Sequence, residues 1–399
     1  MTNMAPVHRT QPDEFSPEQL VVESDLDFRV DSRIYSDPWV FDQEMRRIFD
    51  RTWVYVGHTS ELKQPYDFKT AMIGKNPVIV TRAADGSIHV MANECRHRAN
   101  TVCRESRGSA RNGFICPYHA WAYSITGELV GVTHASGYPP NFASELGGLA
   151  KCRSAVYRGL IFASFNADVP PIEEHLGDVR KYVDLWADLS PEPEFQVTRP
   201  HQYGYQGNWK FQAENGNDAW HARFTHKSAF RTFEEFGGRK ASERSSGGCT
   251  RGFAGGYGIQ ERESGIHQGL SSDQRALYEE ALRRRHSEAE VKQIWGFRRH
   301  LFLFPNLYLF DNLLRVIQPI AADKTTVISY PLLLSGVPEE LNRVRLAELE
   351  SRLGTTGMVA TDDLEIVGMP RAARIDRAGQ ESVATEKTEC TKNVENSMM

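Results

Sequence analysis

"CRHRANTVCRESRGSARNGFICPYHAW", residues 95–121, gathers three cysteines and two histidines in a chain that has only six cysteines among 399 residues. Two of the cysteines stand in short pairs with a histidine: Cys95-x-His97 and, eighteen residues further on, Cys116-x2-His119. Each loop therefore offers one thiolate and one imidazole. Zinc is the first competitor for such a set. A zinc finger takes both cysteines from one end and both histidines from the other, and a zinc ribbon uses Cys-x2-Cys pairs. Mixed pairs suit instead a two-iron cluster in which both cysteines bind one iron and both histidines the other. Neutral imidazoles leave such a cluster less negative and raise its potential. Cys103 falls outside the pattern and reads as a small buried residue.

The bulk of the chain narrows the setting. Its length allows two domains, or one large domain with an insertion. A net charge of -5 argues against a general nucleic-acid binder, which carries a basic surplus. No apolar run approaches the roughly 18–20 residues of a membrane helix. The start, "MTNMAPVHRTQPDEF", lacks the charged-then-apolar layout of a secretory signal, and six scattered cysteines are too sparse for a disulfide scaffold. These features predict a cytoplasmic protein with reduced thiols. The basic tract Arg283–Arg285 with His286 sits among Glu279, Glu280, Glu288 and Glu290 and reads as a solvated helix face.

Around the cysteines the texture is β. Residues 1–25 are polar, with poor order expected at their start. Ser36 then reads as an N-cap with Pro38 in the first turn, and Val40, Phe41, Met45, Ile48 and Phe49 are apolar at helical spacing. After Trp53 come "FKTAMIG", "NPVIVTRA" and "SIHVMANE", with a turn at Ala84-Asp85-Gly86, and later "AYSITGELVG" and "GLIFASF". Residues 53–165 thus form an all-β unit, preceded by a segment at 1–52 and followed by a larger unit at 166–399. In the latter, residues 272–295 and 338–353 read as helices, and "LYLFDNLLRVIQPI" and "TTVISYPLLL" as long strands.

An electron carrier would end near residue 165, so the remaining chain needs its own explanation. "NWKFQAENGNDAWHARFTH", residues 208–226, contains Glu214, Asn215, Asp218, His221 and His226. Asp218 and His221 are three apart and share a face if the segment is helical. His221 and His226 are five apart, which an ideal helix splays by about 140°, so a shared metal requires the helix to end or distort near Thr225. Two histidines and one carboxylate with open positions make the facial triad of non-haem Fe(II) sites. Asp218, one turn before His221, is placed to accept the second N–H of a metal-bound imidazole.

Both strings together resemble the bacterial aromatic-ring-hydroxylating oxygenases. "CRHRANTVC…CPYHAWAY" is similar to their Rieske [2Fe–2S] motif, and Glu-Asn-x2-Asp-x2-His-x4-His to their catalytic segment. Ala99 stands where the family usually has Gly, and Trp220 where it usually has Tyr, a change that reshapes the pocket wall. The resemblance implies an α+β fold: an all-β Rieske domain inserted near the N-terminus of a catalytic domain built on a large antiparallel sheet with helices. It implies Cys95, His97, Cys116 and His119 as cluster ligands, and His221 and His226 as ligands of a mononuclear Fe(II). The third ligand is expected in an Asp-Asp pair about 140 residues on, where "GMVATDDLEIV" supplies Asp362 and Asp363, the second aligning with the ligand. Surface charges at a helix start are the competing reading of that pair. Asp218 and Asn215 are the candidate catalytic residues, Asp218 also bonding a Rieske histidine of the neighbouring subunit, here His119. Such a head-to-tail contact closes into a ring. The family implies a homotrimer, with or without a small β-subunit.

The activity so implied is the terminal oxygenase of a multicomponent system, using O2 and NADH-derived electrons to cis-dihydroxylate an aromatic substrate. Ring monohydroxylation is the close variant. A separate reductase and ferredoxin are required, because the chain has no Gly-x-Gly-x2-Gly nucleotide signature. Overall texture is similar to the oxygenases of aromatic carboxylates: benzoate, anthranilate, salicylate, terephthalate. A buried carboxylate wants an arginine. Arg298, Arg299 and Arg315 lie in the segment expected to wall the pocket, though each reads first as a surface or interface charge. Family members usually continue past the Asp-Asp site with a longer helical tail, whereas this sequence stops at "NVENSMM". Two rivals remain: a Rieske electron-transfer protein without catalytic iron, and a zinc hydrolase using His221, His226 and Asp363.

Overall fold

Short β-branched runs punctuated by glycine turns can only bury their apolar faces by pairing, and residues 54–164 do so. A computed structural model of the chain describes residues 20–23, 28–218, 221–237, 248–263, 269–368 and 383–384. The polar start, Trp220 and the terminal "NVENSMM" lie outside them. Strands Asp67–Ile73, Asn76–Arg82 and Ile88–Ala92 pair antiparallel, with Arg107–Ser109 on the outer side of the first. The expected turn between the second and third holds Gly86 at φ +86°, a left-handed conformation that glycine adopts without strain. "AYSITGELVG" is two short strands, Ala122–Tyr123 and Leu129–Gly131, rather than one. Gly127 at φ +85° makes the turn between them. Strand Val54–His58 pairs with Leu160–Ser164, which pairs with Arg153–Tyr157.

The helix expected from Ser36 begins one residue later. Ser36 closes a preceding turn at Arg33–Ser36, and Asp37 caps the helix Pro38–Glu44 by accepting from Trp39 N at 2.7 Å. Pro38 explains the shift: it fits the first helical position, so the residue before it must be the cap. The helix runs on as a π-turn over Met45–Phe49. Its apolar face lies on the catalytic half, where Phe49 meets the Trp209 ring at 5.3 Å and Glu44 accepts from Trp209 Nε1 at 2.9 Å.

The second half is built on one antiparallel sheet. Its strands run in the order Gln196–Val197, Lys324–Leu333, Leu313–Ala321, Leu307–Leu309, Phe297–Leu303, Tyr257–Glu263 and Gly248–Phe253, and His201–Tyr205 also pairs with Lys324–Leu333. The long strand expected at 307–320 is interrupted at Phe310–Asn312, where Phe310 N donates to Leu313 O. Two-residue alternation separates the sheet's faces. Leu301, Leu303, Leu307, Leu309 and Leu314 pack with Tyr182 and Trp186 of helix Arg180–Ala187 and with Tyr278 and Ile294 from the helices Ser272–Arg283 and Glu288–Trp295. The opposite face, with Phe302 and Tyr308, lies against Trp209 and Ala213. That second face carries the site. The basic tract behaves as read: Arg283 pairs with Glu279 at 3.0 Å and with Glu288 on the exposed side.

Candidate functional site

Two loops at one end of the β unit bring the first four candidates together. Cys95 and Cys116 each close a turn in the same way: Ala99 N donates to Cys95 O and Ala120 N to Cys116 O, both at 2.9 Å. Cys95 N in turn donates to Asn100 O, and Cys116 N to Trp121 O. The loops are thus near-copies in backbone bonding, and they converge tip to tip. His97 Nδ1 and His119 Nδ1 stand 3.1 Å apart, with the His97 ring stacked on Trp121 at 4.8 Å. Both cysteines are buried and both histidines half-buried.

The donor set fits a Rieske cluster. The Tyr123 phenol lies 3.2 Å from Cys95 Sγ and accepts from Arg96 N. Burial raises the Cys116 thiol pKa, but the backbone N–H groups of Tyr118 and His119 aimed at its sulfur outweigh that and hold it below its usual value. Such inward-pointing N–H groups stabilise a thiolate or an anionic cluster. Cys103 contrasts with it: burial drives its thiol up to about 11, and its sulfur faces Glu105. It is the inert residue expected.

Both equivalent turns need a residue in the left-handed region, and both have alanine there, Ala99 at φ +55° and Ala120 at φ +56°. A Cβ in that conformation costs about 1–2 kcal/mol. Ala99→Gly, which installs the family's usual residue, should raise stability by about 0.5–1 kcal/mol after glycine's larger unfolded-state entropy is subtracted. Thermal bleaching of the cluster's visible absorption would shift upward by a few degrees. An unchanged or lowered midpoint would show that the turn stores no strain.

The second site departs from a continuous helix. Helix Trp209–Asn215 stops, Asp218 lies in the following turn, and His221 caps a single turn at Ala222–Thr225. Asp218 and His221 therefore lie outside both helices and are not related by continuous helical spacing. Gly216 explains the tight approach to the sheet, since a Cβ there would lie 2.3 Å from Tyr308 Cζ. The distortion required at Thr225 is present. The short turn ends there, and His226 sits at φ -96°, ψ 25° before the helix Lys227–Gly237.

This break turns both imidazoles toward the helix Met358–Gly368. His226 Nε2 lies 3.2 Å and His221 Nε2 3.6 Å from Asp363 Oδ1. The three ligand atoms all fall within 4.8 Å of one another, room for one metal ion. Asn215 Nδ2 donates to Asp363 Oδ1 at 3.2 Å and lies 3.4 Å from His221 Nε2. On the outer sides, His221 Nδ1 is 3.3 Å from Asp218 Oδ2 and His226 Nδ1 is 3.4 Å from Asp362 Oδ2. Asp362 and Asp363 sit beyond the first turn of their helix, so the reading as N-terminal surface charges does not hold. Burial pulls the His226 pKa down, but the Asp363 and Asp362 carboxylates outweigh it and hold it above its usual value. The place is built for a cation.

Sequence reasoning missed the position of Asp362 as outer partner of His226; the adjacent acid in "TDD" was the available signal. Of the surface-or-interface reading of the three arginines, the surface part does not hold. Arg315 is 4% exposed, Arg299 pairs with Glu261 at 2.7 Å, and Arg298 lies 3.6 Å from Asp311, so none is a plain surface charge.

Both halves of the chain match families of known proteins. Residues 52–143 match the family model of the Rieske [2Fe-2S] domain, and residues 192–377 that of the ring hydroxylating alpha subunit catalytic domain. Toluate 1,2-dioxygenase subunit alpha of Pseudomonas putida is 34% identical over 85% of this chain and 77% of that protein. Anthranilate 1,2-dioxygenase large subunit of Acinetobacter baylyi is 32% identical over 87% and 79%. The solved structure of naphthalene 1,2-dioxygenase with indole bound superposes with a TM-score of 0.78 at 26% identity, covering 90% of this chain and 83% of that one. The chain belongs to the Rieske ring-hydroxylating dioxygenase family, as a large (alpha) subunit. It is an oxidoreductase whose cofactors are a Rieske [2Fe–2S] cluster and a mononuclear iron.

Proposed function

We propose that the chain is the terminal oxygenase subunit that adds both atoms of O2 to the ring of an aromatic carboxylate, giving a cis-dihydrodiol. The carrying observation is the presence in one chain of the converging Cys95/His97/Cys116/His119 loops and the separate His221/His226/Asp363 triad. Toluate, anthranilate and 2-halobenzoate dioxygenase large subunits, each at least 32% identical, support a ring acid as substrate. In this reading residues 53–165 hold the cluster, residues 166–399 hold the iron, and residues 1–52 pack on the catalytic part.

When bound, the cluster supplies single electrons and the mononuclear Fe(II) supplies open coordination for activating dioxygen. The protein does the rest. His221, His226 and Asp363 would hold the iron. Asp218 and Asp362 stand at the outer nitrogens of the imidazoles, where they would orient the rings, and Asn215 donates to Asp363. Family members take electrons from separate ferredoxin or reductase proteins, and this chain is proposed to do so in the cytoplasm. No helix among the described residues is long and apolar enough to cross a membrane.

The proposed assembly is a trimer in which His119 of one chain meets Asp218 of the next. Ile115, Tyr118 and Val130 are exposed around His119, and Phe224 is 79% exposed beside His221, apolar surface that such a contact would cover. A small β-subunit is compatible with this ring.

The test is an iron and acid-labile sulfide count on the purified red-brown protein, followed by turnover with its reductase. About three irons and two sulfides per chain are expected. NADH consumption should depend on an aromatic carboxylate and yield a dihydrodiol. Two irons only, or NADH oxidation without oxygenated product, would overturn the proposal.

A further inference from the structure

A charged side chain buried without a partner is costly and so points to a missing counter-ion. Arg315 is such a side chain. It is 4% exposed, and neither Nε nor Nη2 has a hydrogen-bond partner among the described residues. Its guanidinium carbon lies 5.1 Å from the Phe310 ring centroid, which tolerates the cation but cannot accept its planar N–H fork.

Its position in the sheet gives it a direction. Tyr308, Arg315, Ser329 and His201 are register partners across four adjacent strands. They therefore share a face, and Tyr308 fixes which: its phenol donates to Ala213 O in the helix leading to His221. Ser329 is fully buried, with its hydroxyl facing the Tyr203 phenol. Tyr203, two residues from His201 on the same strand, lies on that face too. The guanidinium thus belongs to the sheet face that packs on the helix leading to His221.

The surroundings favour an anion. His300, on the same face, is kept neutral by burial and by Arg262 and Arg298. Arg298, on this face, is engaged by Asp311, and Arg299, on the opposite face, by Glu261 and Gln293 O. We infer that Arg315 binds the carboxylate of the ring substrate through its free Nε–H and Nη2–H groups, with the Ser329 hydroxyl beside them. This rests on the ring-acid reading above and names the residue that would enforce it. A two-point clamp on that face would fix which ring edge is presented to the iron.

The experiment compares Arg315→Gln, Arg315→Lys and the parent holoenzyme. The probe is whichever of benzoate, anthranilate, salicylate and terephthalate the parent binds tightest, against its neutral amide. Kd is measured by calorimetry and kcat and KM by turnover, with iron content and cluster spectrum as controls. Arg315→Gln should weaken binding of the acid and raise its KM by at least about 30-fold. The amide should be unaffected, and Arg315→Lys should recover only part of the loss because an ammonium lacks the fork. Equal losses for acid and amide, or none for either, would overturn the role of Arg315. Should the glutamine variant not accumulate folded, the lysine variant decides by the same contrast. A parent that binds no ring acid would instead sink the substrate reading itself, which separates the two failures.

Discussion

His226→Ala is expected to take the chain from about three irons to about two while leaving it red-brown, with oxygenase turnover at background. The imidazole is 3% exposed and stands between two carboxylates, with Asp363 at its inner nitrogen and Asp362 at its outer one. Its removal deletes one of three protein ligands and leaves two acids facing each other without the ring between them. The Rieske loops lie in a separate cluster of buried residues, so their absorption should persist. Asp363→Ala should reproduce the loss. Asp362→Ala should not: it removes only the outer acceptor and should lower iron affinity or activity by about 10–100-fold. Iron analysis beside the visible spectrum separates these cases. A third iron retained by H226A would place the mononuclear centre elsewhere, and equal loss in both Asp variants would mean that the carboxylates share the ligand role.

The unequal legibility of the two sites has a physical cause. Each Rieske pair is fixed inside one turn, so Cys-x-His and Cys-x2-His spacing carries nearly all of the geometry. Only the convergence of the two loops needs the fold. The mononuclear triad is different. His221 and His226 announce a helix break by being five apart, and the break is present. Asp363, however, lies 137 positions after His226 and became visible only through family resemblance. Helical spacing does not account for Asp218, because the helix Trp209–Asn215 ends before it, at Gly216, where Tyr308 leaves no room for a side chain. Arg315 shows the reverse error. Its residue type suggested surface, yet it sits in the apolar run "LYLFDNLLRVIQPI", where alternation placed it on the sheet's inner face. Residue type sets a prior on burial, and the neighbouring sequence outweighs it here.

Asp218→Asn should keep both metals and still lower turnover by about 100-fold or more. The carboxylate is held from two sides of His221, accepting from its backbone N at 3.3 Å and lying 3.3 Å from Nδ1. Asparagine preserves the shape but removes the charge, and its NH2 group presents donors where an acceptor is needed. Stopped-flow reduction of the cluster, followed by oxygen and substrate, reads the consequence. The parent's cluster should reoxidise in step with product, whereas that of D218N should remain reduced. Normal reoxidation with loosened iron would make Asp218 a local orienter alone.

A mixing experiment then asks which chain the electron comes from. Cys116→Ser lacks the cluster but keeps Asp218, and D218N keeps the cluster but lacks the carboxylate. If transfer stays within a chain, no mixture of the two can work. If it crosses to the neighbour in a head-to-tail ring, a site works whenever a D218N chain donates to a C116S chain. At equal random assembly that is one half times one half, about a quarter of all sites. Co-expressed variants recovering activity of that order would establish the inter-chain path, and a mixture no better than either parent variant would confine it to one polypeptide.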